Sequence, residues 1–210
     1  MGNGFDQRRV AVPSSNSLSL ISNDWRSEVA TCCDDQCPLA QTERPMPAKE
    51  KSLEDLFHET LKDIYMAEKR ILTALPKMAK AVNSDELRQA FEKHVDETEG
   101  QLERLDKVFE LIGKPAKGKK CEAIEGLIAE GQEIMKDFKN SDALDAGLLS
   151  EAQAVEHYEI SRYGTLITWA NELGHSDAVP LLAQTLEEEK KTDATLTQIA
   201  ESTVNQRAAA

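Results

Sequence analysis

The residues in this sequence that could do chemistry are carboxylates standing where a helix should bury apolar groups. The order Phe57, Leu61, Ile64, Glu68, Ile71, Leu75, Met78 advances in steps of 3 and 4, the repeat of one helical face. Glu68 takes a slot in the middle of that face, with apolar residues a turn away on both sides. A second face reads Leu149, Ala152, Glu156, Glu159, Tyr163, Ile167, Ala170, so two successive slots are Glu. A third reads Ala178, Leu182, Thr185, Glu189, Thr192, Leu196, Ile199, and Asp193 follows Glu189 one turn on. A fourth interruption is weaker: His94, Glu97 and Gln101 run along one edge of the face made by Phe91, Val95, Leu102 and Leu105.

Burying one uncompensated carboxylate costs several kcal/mol, and like charges close by raise that cost. Several acids gathered in one core persist only when cations or protons neutralise them. Two divalent cations would cancel four carboxylates, and hard oxygen donors suit iron or manganese. The competing reading is bland. The helix phases drift, and the acids sit at stripe edges, paired with Arg70, Arg104 or Arg162.

Five helices must position these groups. The first, α1, is predicted over 52–81, with Ser52 and Asp55 forming a capping box at its start. Ser84 caps α2, which ends before Gly113 and Pro115. A shorter α3 covers 121–139. Ser141 caps α4, which runs to Leu173 and stops at Gly174, and α5 covers 177–205 with Pro180 in its first turn. No strand or hairpin signal interrupts them. Four of the five are about 30 residues, or ~45 Å, long. Two long antiparallel hairpins, α1–α2 and α4–α5, joined by a crossover that holds α3, make an all-α, ferritin-like four-helix bundle. The acids lie near the helix midpoints, so they are expected at one level of the core.

Composition closes other routes. Of 210 residues, 25 are basic and 38 acidic, a net charge of −13, the wrong sign for a phosphate-binding surface. No segment approaches the ~20 consecutive apolar residues of a membrane span. Nucleic-acid and membrane partners are therefore not expected, and the cytoplasm is the default location. Residues 1–48 are rich in Ser, Asn, Gln and Pro without apolar periodicity and are expected to be a disordered polar arm ahead of a helical domain at 49–206. The arm holds Cys32, Cys33 and Cys37 but no His that could complete a zinc site. Cys121, on α3, reads as a small buried hydrophobe, and His58 and His175, near helix ends, as surface groups.

The segments DIYMAEKR (63–70), ETEGQLER (97–104), KCEAIEGLI (120–128), VEHYEISRYGTL (155–166) and TLEEEKKTD (185–193) resemble the YciE/YciF ferritin-like family of bacterial stress proteins, also called DUF892. The resemblance spans about residues 51–205. It implies a rubrerythrin-like bundle, a dinuclear metal site and a homodimer. It also implies Glu68, Glu97, Glu156, Glu159 and Glu189 as ligands, and leaves the activity, ferroxidase or peroxidase-like, undefined. The wider superfamily often carries E-x-x-H on its second and fourth helices, and those His slots here hold Gly100 and Thr192. His94 or Asp193 is then expected to stand in as a ligand. His157, about 100° off the α4 stripe, together with Tyr163 and Gln101, is expected to hydrogen-bond ligands rather than bind metal. The alternative is a non-enzymatic helical stress protein whose bundle mediates dimerisation or partner binding. A storage cage is disfavoured, because no further helix follows α5.

Overall fold

The computed structural model describes residues 50–210, so the polar arm and Cys32, Cys33 and Cys37 lie outside the described residues. The helices are α1 (Leu53–Ala81), α2 (Asp85–Leu111), α3 (Glu122–Asp137), α4 (Leu144–Glu172) and α5 (Val179–Ile199). A π-helical stretch, Ala200–Val204, and a short α6 (Asn205–Ala208) follow. There is no strand among the described residues, and none of their helices is long and apolar enough to cross a membrane.

Local chemistry sets the ends. The Asp55 N–H donates to Ser52 Oγ at 3.2 Å, and the Ser52 N–H donates to Asp55 Oδ2 at 2.9 Å, so the expected capping box starts α1. Ser84 accepts from the Leu87 N–H and caps α2. The α4 start differs from expectation. Ser141 accepts from the Ala143 N–H, and the helix begins at Leu144 with no side-chain cap. Its place is taken by tertiary anchoring. Buried Asp145 accepts the N–H groups of Asn83 and Ser84, both at 2.8 Å, tying the start of α4 to the turn between α1 and α2.

That tie fixes direction. Helix α4 starts at the end of the molecule where α1 finishes, and it runs antiparallel to α1. At the other end His175, in the α4–α5 turn, stacks on Phe57 with ring centroids 5.4 Å apart and brings Nε2 to 3.1 Å from Glu54 Oε2. His175 and His58 are therefore half-buried rather than surface groups: the turn folds back over α1, and His58 meets the edge of Phe109. Helix α1 packs on α2 and α4, and α5 packs on α2 and α4. The four long helices thus form a square whose corners run α1, α2, α5, α4 around its perimeter. Helix α3 lies across the α1/α4 side as the crossover climbs from the end of α2 to the start of α4. Ile124 and Gly131 of α3 are buried there. Cys121 is buried as expected, with Sγ 3.0 Å from the Tyr158 hydroxyl.

Candidate metal centre

The apolar faces meet inside the square and carry their acids with them. Glu68 of α1, Glu156 and Glu159 of α4 and Glu189 of α5 are all buried. His94 of α2 joins them, because Leu87, Phe91 and Leu105 seat α2 with that face inward. One donor atom each from His94, Glu156, Glu159 and Glu189 lies within 4.8 Å of the other three. His94 Nε2 stands 3.2 Å from Glu156 Oε1 and 3.9 Å from Glu189 Oε2.

Two neighbours hold carboxylates by one oxygen. The Tyr163 hydroxyl donates to Glu68 Oε1, and Gln101 Nε2 donates to Glu189 Oε1. The opposite oxygens are left over. Glu68 Oε2, Glu156 Oε2, Glu189 Oε2, both oxygens of Glu159 and both His94 ring nitrogens are buried without a hydrogen-bond partner. Groups of this kind are normally satisfied, so their concentration at one level of one core is the unusual feature of the molecule. The arginines do not relieve it. Arg70 pairs with Glu125 on α3, Arg104 reaches Thr185 and Glu188, and Arg162 lies over the Tyr158 ring.

The electrostatics follow from burial. Desolvation pushes the Glu68 carboxyl up to about 7. Desolvation, reinforced by the other acids, raises Glu159 and Glu189 well above the ordinary carboxylate range and also raises Glu156. Burial works against the His94 imidazolium, but Glu156, Glu97 and Glu68 outweigh it and raise its pKa. Burial likewise keeps the Tyr163 phenol protonated, as a donor to Glu68. This is a set of hard donors, short of positive charge, around one point. It could hold a metal ion, and the orphaned oxygens and imidazole nitrogens are the atoms such an ion would take.

The remaining candidates divide. The Glu97 side chain is 21 % exposed, with Oε2 3.8 Å from His94 Nδ1, and the neighbouring His94 and Lys93 lower its carboxyl to about 2. Glu97 thus flanks the four-residue cluster, which takes His94 from α2. Asp193, 24 % exposed, accepts from Gln153 Nε2 at 3.0 Å and faces His157 at 3.3 Å, outside that cluster. His157 is 69 % exposed and touches Asp193 instead of the buried acids. The family resemblance puts Glu97 first and His94 in reserve, and the sequence alone does not separate them because both fall on the edge of the α2 stripe. The run of Leu87, Phe91 and His94 at steps of 4 and 3 was the usable signal.

Comparison with known proteins agrees with this architecture. The family described as "domain of unknown function (DUF892)" matches residues 52–209. Protein YciF of Escherichia coli K12 is 47% identical over 159 residues, covering 75% of this chain and 96% of that protein. The crystal structure of the E. coli stress protein YciF superposes with a TM-score of 0.71, covering 74% of this chain and 99% of that one. YcfI of Rhodopseudomonas palustris gives the same TM-score, 0.71, at 45% identity and the same coverage of both chains.

Proposed function

Because the chain belongs to the DUF892 family and buries a partnerless acidic layer in its bundle, we propose that it binds a pair of iron or manganese ions there. The orphaned oxygens carry this reading. His94, Glu156, Glu159 and Glu189 would hold one ion, and Glu68 and Glu97 stand beside them as ligands for a second. Iron held there would supply one-electron chemistry: two ferrous ions and two solvent protons convert dioxygen to hydrogen peroxide, or hydrogen peroxide to water. The chain's own residues bind and orient. Tyr163 fixes one oxygen of Glu68 and Gln101 one oxygen of Glu189, so each carboxylate presents its free oxygen inward. The apolar residues above and below exclude water and strengthen every charge interaction inside. The description of YciF as a stress protein supports placing such oxidant or iron handling in a stress response.

Metal analysis of the purified chain, loaded anaerobically with Fe(II) or Mn(II) and desalted, tests the reading. Roughly two ions per chain are expected, and Glu156→Gln/Glu159→Gln should lose them while keeping its helical circular dichroism. Near-zero metal in both proteins would overturn it. That result would favour a second reading, a metal-free bundle with a protein-binding role. The raised carboxyl pKa values support this alternative, since protons can neutralise the layer in place of cations.

A further inference from the structure

The floor of one cavity is part of the acidic layer, yet its walls are apolar. It lies between α1, α3 and α4, has a volume of about 40 Å³, and is walled by Met78, Leu127, Ile128 and Met135, with His94 and Glu156 at its inner end. Exposed Lys77 and Gln132 stand at the rim. A water site needs ~10–15 Å³ and two to four polar partners. The space suffices for several small atoms, but the walls present carbon almost throughout, and Glu151, which also lines them, keeps its Oε2 buried. At the inner end the His94 nitrogens and Glu156 Oε2 are buried beneath that carbon surface, out of reach of a water in the cavity. Such a chamber rejects cations and water and accepts a small uncharged apolar molecule.

The opposite face of the square has the other character. On α2 and α5, the two long helices that α3 does not pack against, Glu97 and Asp193 are partly exposed, Asp193 beside Gln153 and His157 of α4, and both lie near enough to Glu156 to act on its charge. Cations would be drawn to that face. We infer that the cavity under α3 is a docking site for dioxygen, which meets the acidic layer at His94 and Glu156 from the side opposite to the cations. Hydrogen peroxide, with two O–H groups to satisfy, is a poor fit to the same walls. The inference rests on the proposed oxidation chemistry and selects between its two oxidants.

Xenon, an apolar probe that needs no metal, tests the site directly. Crystals of the chain as purified, held under xenon pressure, should show a xenon atom against Met78, Leu127 and Met135. Ala74→Phe and Gly131→Leu both place carbon in the cavity. Gly131 has room for a Cβ, which would meet only Glu151 Cβ at 4.0 Å, so at least one filled variant should fold. Each folded variant should lose the xenon and show a several-fold higher apparent KM for dioxygen in Fe(II) oxidation, with its Fe(II) dependence and its rate with hydrogen peroxide unchanged. No xenon in the wild type, or an unchanged dioxygen dependence in a filled variant, overturns the docking site while leaving the metal centre standing. Xenon bound in a wild type that never oxidises Fe(II) overturns the metal-centre chemistry, and the dioxygen assignment falls with it.

Discussion

The middle of the bundle and its two ends are made by the same four helices and obey opposite rules. At the α1 N-terminal end, Phe57, Leu61 and Phe109 pack as an apolar layer, and the polar groups that close it, Glu54 and His175, are paired. At the other end Leu75, Ala79, Leu87 and Leu148 pack, and Asp145 has two N–H partners. The middle layer gathers unmatched acids and an imidazole at one level, whereas elsewhere such atoms stand singly, as His58 Nε2 and Glu151 Oε2 do. Stability comes from the ends, and the middle subtracts from it until something positive arrives. A pattern kept against that cost marks a site rather than a scaffold.

The widest gap between the regions is in pH. For a buried acid whose pKa is raised, the folded state holds a proton that the unfolded chain has released, so stability falls as pH rises between the two values. Glu68, moved from the ordinary 4.5 to about 7, would by itself remove about 3 kcal/mol across that interval. Glu156, Glu159 and Glu189 act in the same direction. The raised imidazole of His94 does too, since its contribution is lost as pH climbs past its folded value. Glu97, held at about 2, works the other way, but only below the ordinary carboxylate range. The chain stripped with chelator should therefore melt at a lower temperature at pH 7.5 than at pH 5.5. Added Fe(II) or Mn(II) should raise Tm more at the higher pH. A Tm of the stripped chain that is flat or rising over this range would show the middle layer to be no different from the ends.

Next is Phe57→Ala, which opens a cavity in an end layer that is otherwise sealed. It should cost about 3–5 kcal/mol, equally at pH 5.5 and 7.5 and equally with and without metal, in urea melts followed by circular dichroism. Metal dependence of that loss would couple the end to the middle and blur the contrast.

Much of this division could be read in the chain itself. The 3-and-4 spacing around Glu68, Glu156, Glu159 and Glu189 places each acid on a buried face, because the stripe it interrupts becomes apolar again in both directions, at once for Glu68 and within two turns for the others. Helix α2 was harder. His94 and Glu97 are one turn apart at the edge of its stripe, and only packing on α1 and α5 sets the rotation that buries one and half-exposes the other. Contacts between distant segments left no local trace. Glu54 meets His175 across 121 residues and Asp145 meets Ser84 across 61, so the local pattern alone leaves the histidine as a surface group and Ser141 as a cap. The cavity was invisible for the same reason, since its walls come from α1, α3 and α4 together.

Glu159→Leu turns one element of the middle into end-type packing. Both oxygens of Glu159 are buried and unpartnered, and Glu68, Glu189 and Glu156 all press on its charge. Leucine is close to glutamate in length and brings no charge to desolvate. Replacing an ill-compensated buried charge by a packed apolar group is often neutral to stabilising by ~1–4 kcal/mol. The stripped variant should therefore melt above the stripped wild type at pH 7.5. It should gain less at pH 5.5, where more of the wild-type carboxyl is protonated and less charge remains to be removed. On the proposed metal binding the same substitution removes a ligand, so the order should reverse with Fe(II) present: wild type should gain and the variant should not. A stripped Glu159→Leu chain that melts below wild type at pH 7.5 would mean that this carboxylate stabilises the metal-free bundle, and the distinction between scaffold and site would fail at its most buried residue.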